Sequence, residues 1–521
     1  MNINLNSEDT NIVIVGGGTA GWITALTMRT KYNSPNITVI DSSDIGILGA
    51  GEGTTPHFVQ LLDAISVPVS DVIKYAQGTF KSGIKFTDWN GDGEHYYHGF
   101  ANADDFSYLK PVTNNTGIST IVHTKIVNGE NFDDIELTAA TAEKNRTKFI
   151  PNVSFASKQK NPLHHYEGLG SHALHFNARK LADLLKEKAL KRNINVIDAK
   201  VDEIITDEQG FITEITLVQK EAVKADVVFD CTGLHRLIIG RFYESEWKNY
   251  NEYLPVNRAL AFNIPTYHHE PLPPYTESIA MKYGWAWKIP LQDRYGCGYV
   301  FDSKQLTDED AVKELKEKFG SFVEIGNTFN FEAGAYKTPW VKNCLAIGLA
   351  QSFIEPLEAT SIWSSILNSL NTLDNYITGL THRDEMSIKL YNEKITKFND
   401  GILNFIYFHY ITKRTDTAFW RDFTTNNKMP DVIKVIYDNN RSVICMPELT
   451  MNLPFSDVSW YQVGTGLKFF NPDPSRNVLE VFRGLIVDYN SKIMLFKKNL
   501  NFTTDVVVDH KKLLNYIITN S

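Results

Sequence analysis

From Asn11 the chain reads Asn-Ile-Val-Ile-Val and then, from Gly16, Gly-Gly-Gly-Thr-Ala-Gly-Trp. A short apolar strand that runs straight into a glycine-rich turn and opens a helix restricts the fold to a strand–turn–helix unit built for an anion. Glycines at 16 and 18, with Gly17 between them, permit a tight turn and close backbone approach to a pyrophosphate. Gly21 lets the helix pack against the strand, and Thr19 and Ala20 place the first helical N–H groups at the positive end of the helix dipole. The next apolar run, Ile37-Thr38-Val39-Ile40, ends in Asp41, twenty residues past Gly21, where a carboxylate can hold a ribose hydroxyl. The pattern predicts a dinucleotide site on an α/β fold.

The 521 residues carry 43% hydrophobic and 22% charged side chains and a formal net charge of −9. A basic face for nucleic acid or an anionic membrane is therefore not expected. The start, Met1-Asn2-Ile3-Asn4, lacks the basic and apolar regions of a secretory signal. No uncharged apolar run reaches the roughly 18 residues of a membrane span. Four cysteines (231, 297, 344 and 445) sit without ligand spacing, as reduced thiols in a cytoplasmic protein would.

Along the chain, helices are expected over 56–64, 69–78 and 178–191, the last with leucines at helical spacing. A strand carrying Lys81 is expected over 80–89. Residues 102–160 are polar and weakly periodic and read as an excursion from the core. Strands at 195–197 and 200–206 precede a hairpin, 211–218 with 225–229, that enters Asp230-Cys231-Thr232-Gly233. Residues 257–301 alternate as an antiparallel sheet, Leu345-Ala346-Ile347-Gly348 is a buried strand, and helices dominate from Ile362 onward. The domain reading is a dinucleotide-binding module with an interleaved sheet over 1–361 and a mainly helical, substrate-side region over 362–521. The fold class is α/β with interleaved α+β elements, around a Rossmann-like domain.

Several further motifs occur in order. They are Gly49-Ala50-Gly51-Glu52-Gly53-Thr54, Phe80-Lys81-Ser82-Gly83-Ile84-Lys85-Phe86, the W-x-W-x-I-P of Trp285-Ala286-Trp287-Lys288-Ile289-Pro290, and Phe353-Ile354-Glu355-Pro356-Leu357-Glu358-Ala359-Thr360. With the glycine turn, they resemble the FAD-dependent halogenases, most closely the tryptophan-halogenase branch. The likeness runs from about Asn11 to Phe419-Trp420 and fades beyond.

The resemblance implies a chemistry in which reduced FAD, O₂ and a halide (chloride, bromide or iodide) yield hypohalous acid, which travels inside the protein to a lysine beside an aromatic substrate. Confinement keeps an indiscriminate reagent out of bulk water. It implies that Lys81 is that lysine, either hydrogen-bonding hypohalous acid as an ammonium or forming a haloamine as a neutral amine; without it, Lys81 reads as an ordinary strand lysine. It implies that Glu358 orients hypohalite or deprotonates the arenium intermediate, although a carboxylate at a helix start has a structural use as well. Backbone N–H groups of Thr360 and Ser361 would hold the halide, and here Ala359-Thr360-Ser361 replaces the branch's Ser-Thr-Gly. His98 and Phe100 match a His-x-Phe that sandwiches the arene. Glu52, Gly53, Val201, Leu349 and Ile362 would join the glycine turn and Asp41 around FAD. Trp285 and Trp287 would wall off the flavin by packing. Paired histidines at 164/165, 172/175 and 268/269 lack carboxylate or cysteine companions at ligand spacing, so no metal is expected.

The branch grips free tryptophan through a Tyr-Tyr pair and a Glu. In residues 445–461 the tyrosine pair is absent and Thr450 or a neighbour stands where the acid belongs, while Glu448, the alternative acid, lies between Pro447 and Pro454 in what reads as a remodelled loop. An indole or phenol without an amino-acid zwitterion is therefore the expected substrate, with several scaffolds accepted. One dinucleotide fingerprint serves FAD, so a separate, diffusively coupled flavin reductase is expected to supply FADH₂. Alternatives are a flavin-dependent aromatic monooxygenase and a flavin-binding protein without catalysis.

Overall fold

The computed structural model describes residues 2–46, 52–101, 119–152, 161–267, 269–425, 428–442, 454–481 and 483–521. The chain divides into two units. The first comprises Met1–Gly78, Phe176–Asn251 and Glu332–Asp400, and the second Thr79–His175, Glu252–Phe331 and Gly401–Ser521.

The first unit is a doubly covered α/β sheet. Ile12, Val13, Ile14, Ile37, Val39, Val227, Val228 and Phe229 are fully buried, and continuous apolar strands of this kind belong to parallel sheets buried on both faces. The strands lie in the order Asn195–Asp198, Asn36–Asp41, Asn11–Val15, Val227–Asp230, Cys344–Ala346 and Trp340–Val341. The first five run parallel and the last is antiparallel. Val15 therefore pairs with both Ile40 and Asp230, and Asp41 with Asp198, which aligns the strands' carboxyl ends. Helices Thr19–Lys31 and Ala178–Leu190 pack on each other. The second buries Leu181, Ala182, Leu184, Leu185 and Ala189, and the Asn177 side chain caps it by accepting from Lys180 N–H at 3.2 Å. An antiparallel meander, Val201–Thr206, Ile212–Leu217 and Lys220–Lys224, adds Ile212, Ile215 and Leu217 to the core.

The second unit is built on a seven-stranded sheet: Ile325–Asn330, Arg258–Pro265, Arg294–Phe301, Gly284–Pro290, Thr276–Met281, Gly83–Thr87 and His95–Gly99. All neighbours are antiparallel except Thr276–Met281 with Gly83–Thr87. Register gives each face a different chemistry. Gly298, Trp287, Ser278, Phe86 and Tyr96 form one cross-strand row. Thr276, Ile84 and His98 form the next row on the same face. On the opposite face Lys288, Glu277, Lys85 and Tyr97 stand in a row, with Glu143 accepting from Tyr97 Oη at 2.7 Å and lying 3.5 Å from Lys85 Nζ. Trp287 lies flat over Gly298, where a Cβ would collide with its ring.

The expected strand over 80–89 is instead two, Thr79–Lys81 and Gly83–Thr87, broken at Ser82. Ser82 N–H donates to Pro274 O at 2.7 Å, and its carbonyl accepts from Thr138 Oγ1 at 3.1 Å, so the chain leaves one pairing for another at that residue. Thr79–Lys81 pairs antiparallel with Ala173–Phe176, placing Lys81 opposite Ala173 and Thr79 opposite His175. Within the polar stretch 102–160, helices Ser119–Asn128 and Leu137–Ala142 bury Thr120, Thr138 and Thr141 beside Ile121 and Ala139. Helices also make up the described C-terminal part, among them Asp457–Gly466, Pro472–Val481, Arg483–Val506 and His510–Asn520. Tyr96 packs face-on against Gly466, where any Cβ would meet its ring.

Candidate active site

Three turns meet at the carboxyl edge of the parallel sheet. Gly16 has φ +114°, and a Cβ there would strike the carbonyl of Cys231. Gly21 is equally confined, with the Gly16 carbonyl where its side chain would stand. Gly348, at φ +73°, comes so near the helix that a Cβ would fall 2.7 Å from Ala20 Cβ. Gly18 differs, since a Cβ there would meet nothing within 4 Å. Gly18 is also the N-cap of helix Thr19–Lys31, which has neither a capping side chain nor an acid in its first turn. Its first N–H groups thus face space that the protein itself leaves open, as a bound pyrophosphate requires.

Asp41 lies against Gly17, where a side chain would collide with its carboxylate. It also stands 3.3 Å from Lys186 Nζ, which sits 5.6 Å over the Trp22 ring. Lys186 escapes sequence reasoning because it comes from a helix 145 residues away. Asp230 is committed internally: Oδ1 accepts from Thr232 N–H (3.1 Å) and Oγ1 (2.6 Å), and Oδ2 accepts from Ile238 and Ile239 N–H at 2.9 Å each. That fastens the Asp-Cys-Thr-Gly turn beneath Gly16.

The other expected cofactor residues also belong to the first unit. Glu52 and Gly53 form a two-residue strand, and burial pushes the Glu52 carboxyl up to about 7. Val201 opens the meander shortly after Asp198, beside the strand end that carries Asp41. Leu349 is half-buried on the turn Gly348–Ala350, and buried Ile362 starts the helical turn Ile362–Leu367. Before that turn, Pro356–Glu358 forms one 3₁₀ turn in which Glu358 is buried. Ala359 takes the left-handed conformation, φ +53° and ψ +37°. Thr360, buried, and Ser361, the N-cap, then open the helix at positions whose N–H groups precede its own carbonyl acceptors. His57 stacks on Trp363 at 4.6 Å and 3° beside this segment.

The second unit holds Lys81, His98 and Phe100. Lys81 has no solvent exposure, and its Nζ stands 5.5 Å from the centroid of Phe100, within cation–π range. His98 is buried, with its ring centroid 5.6 Å from Phe405 and 6.3 Å from Phe455. Phe405 and Phe455 stack at 3.8 Å, and Trp460 stands edge-on to Phe405 at 5.0 Å. Trp285 and Trp287 are buried neighbours with centroids 6.2 Å apart. Residues 47–51 of the second glycine motif and residues 443–453, where the zwitterion anchors would be sought, lie outside the described residues.

Buried His175 and His510 and half-buried His172 touch the strand of Lys81, and buried His123 lies elsewhere, against Ser475. Burial, with Lys81 and His510 adding like charge, holds His175 well below its ordinary value. Burial lowers His510 and His123 to about 4, and burial together with Lys148 lowers His172 to about 4.

The first unit thus defines a protein of the dinucleotide-binding Rossmann-like class, and the second adds a buried lysine and an aromatic wall. The chain belongs to the tryptophan halogenase family, whose sequence profile matches residues 11–482. It is therefore a member of a family of flavin-dependent enzymes. It is 29% identical over 502 residues to the tryptophan 6-halogenase ThaL of Streptomyces albogriseolus, spanning 91% of this chain and 89% of that one. It is 29% identical over 434 residues to the tryptophan 7-halogenase RebH of Lentzea aerocolonigenes, spanning 79% and 78%. The structure of BrvH, a flavin-dependent halogenase from Brevundimonas sp. BAL3, superposes with a TM-score of 0.83 at 26% identity, covering 97% of this chain and 99% of that one. The expected fold class is borne out. Among the described residues no helix is long and apolar enough to cross a membrane.

Gly18→Val is expected to fold, because its side chain meets no protein atom, but to lose at least about tenfold in FAD affinity by filling the cradle. Flavin fluorescence titration beside a thermal melt checks this; unchanged affinity in the folded variant would remove the phosphate-cradle assignment.

A second prediction concerns acid. His123, His172, His175 and His510 are neutral when folded but take protons below about 6.5 when unfolded. Half-buried Glu52 and Asp133, both raised to about 7 chiefly by desolvation, release protons on unfolding in the same range. Four gained against two lost leaves net uptake, so stability falls as pH drops from 6.5 toward 4, by up to roughly 3 kcal/mol per pH unit. Denaturant midpoints across that range should decline toward acid; a flat profile would contradict the neutral imidazoles.

Proposed function

We propose that the protein halogenates an electron-rich arene, an indole or phenol other than free tryptophan, with reduced FAD, O₂ and halide. The observation that carries this reading is the full burial of Lys81 beside Phe100, in the unit whose His98 joins an aromatic wall with Phe405, Phe455 and Trp460. A hydroxylating enzyme has no use for such a lysine, so a flavin monooxygenase is the second reading.

Gly16 to Gly21, Asp41, Glu52, Gly53, Val201, Leu349 and Ile362 would hold FAD, which when bound supplies the electrons that activate O₂ for halide oxidation. The open space at Gly18 supports that assignment. Thr360 and Ser361 hold the halide on backbone N–H groups. Lys81 binds the hypohalous acid and directs its halogen to the arene, and its burial excludes the water that would scatter the reagent. Glu358 orients the hypohalite or accepts the arenium proton. His98 and Phe100 present flat faces to the ring, which suits an arene in an offset or edge-on packing. A separate flavin reductase delivers FADH₂ by diffusion, and the protein works in the cytoplasm.

Turnover with FADH₂, O₂ and bromide against a panel of indoles and phenols, read by mass, tests the reaction; a gain of oxygen without halide would favour the monooxygenase. Lys81→Ala is expected to lower halogenated product about 100-fold or more while FAD binding and peroxide release stay near wild type. Regioselective halogenation at a comparable rate would remove Lys81 from its role.

The substrate reading rests on the missing tyrosine pair in residues 445–461 and on Thr450 or a neighbour standing at the acid's position; without those anchors a buried zwitterion leaves its charges poorly paired. The expected outcome is a higher kcat/KM for neutral indoles or phenols than for free tryptophan. A strong preference for tryptophan would overturn it.

A further inference from the structure

The strand that carries Lys81 has only three residues, Thr79–Lys81, and pairs with one neighbour, Ala173–Phe176. Beyond that pairing, it is supported by two buried histidines. Phe80 N–H donates to His510 Nε2 at 3.0 Å, and His510 Nδ1 lies 3.0 Å from the carbonyl of Leu272. A carbonyl only accepts, so Nδ1 carries the imidazole proton and Nε2 offers its lone pair; a neutral ring alone satisfies both. Thr79 Oγ1 donates to Pro290 O at 2.7 Å and has His175 Nδ1 at 3.0 Å. Its single proton is taken, so His175 Nδ1–H donates to Thr79 and His175 Nε2 accepts from Thr276 Oγ1 at 2.9 Å.

His510 is itself held. It is the first residue of the terminal helix His510–Asn520, capped by Asp509, whose side chain accepts from Lys512 N–H at 2.9 Å. Leu513, Leu514 and Ile517 are buried. His510 N–H donates to Asn145 O at 3.1 Å, and Val508 exchanges hydrogen bonds with residues 147–149: Thr147 N–H to its carbonyl at 3.0 Å and its N–H to Phe149 O at 2.8 Å.

We infer that His510, assisted by His175, is a positioning residue for Lys81, with the C-terminal helix fixing the amine through the Phe80 amide. This rests on Lys81 being the reactive amine. The neutral imidazoles fix the strand with dipoles and add no cation beside the Lys81 amine. The physical demand is one of placement, because a misplacement of about 1 Å at a reacting group can cost about 100-fold in rate.

Two polar variants separate the hydrogen bond from the fold. His510→Asn keeps a donor for Leu272 O but withdraws the acceptor from Phe80 N–H, whereas His510→Gln reaches far enough to return an acceptor. For H510N we expect faster hydrogen exchange at the Phe80 amide, a kcat for halogenation lowered about 10-fold or more at nearly unchanged KM, and more hypohalous acid captured by a soluble scavenger. FAD affinity should be unchanged. H510Q should recover most of the rate and the exchange protection. A purely structural loss would lower product and escaping reagent together, and that result would overturn the inference. So would H510N with accelerated exchange and wild-type kcat, or H510Q as impaired as H510N. Lys81→Ala measured alongside separates the two ideas: an inactive K81A with a fully active H510N removes only the positioning role, while an active K81A removes the catalytic lysine and this inference with it.

Discussion

Close approach of backbone to backbone at the carboxyl edge of the parallel sheet is the constraint on which the first unit depends. Parallel pairing brings Val15, Ile40, Asp230 and Ala346 to one level, and each strand must turn there without side chains in the way. Gly16 meets the Cys231 carbonyl, Gly21 meets Gly16, and Gly348 meets Ala20. Asp230 gives its whole carboxylate to four donors to keep the middle turn in place. Replacing a buried acceptor with this many partners would strand several donors at once. What remains free of protein atoms is the space over Gly18.

The second unit answers a different demand. An uncharged interior resists an ammonium group, and removing one from water costs several kcal/mol before any partner is counted. The unit surrounds Lys81 with an aromatic ring and with imidazoles that stay neutral, and sorts its other charges to the far face of the large sheet. Lys85 pairs there with Glu143, which also lies 3.0 Å from His95, and Glu277 stands beside Lys85 in register, while the face shared by Trp287, Phe86, Tyr96 and His98 is aromatic. Strict alternation along Gly83–Thr87 and His95–Gly99 makes that division possible.

Much of this was legible in the residues. The glycine turn, its strand and Asp41 stand where the pattern put them, because Asn11–Val15 pairs with Asn36–Asp41 and Gly17 meets Asp41 within one short stretch of chain. The helix over 178–191 and the sheet over 257–301 follow from periodicities that burial enforces. Ser82 was missed as a break because its partner, Pro274, lies far along the chain. Lys186 and His510 were invisible for the same reason. Their neighbours Asp41 and Phe80 are reached only through tertiary structure, and nothing local distinguishes a histidine that opens a terminal helix from any other. The buried threonines at 120, 138 and 141 hid a packed segment behind a polar composition, since a hydroxyl that bonds back to the preceding turn, as Thr124 does to Thr120 O at 2.8 Å, can enter a core.

Ala359 sits in left-handed backbone, a conformation that costs a residue with a Cβ roughly 1 kcal/mol and that glycine adopts freely. An alanine therefore does not dictate that bend; buried Leu357 on one side and Thr360 on the other must impose it. The curvature that aims the Thr360 and Ser361 amides is thus a property inherited from packing rather than written at position 359. A side chain at 359 therefore leaves the direction of those two amides to the residues packed around it, and the shape of the turn outlasts the letter that occupies it.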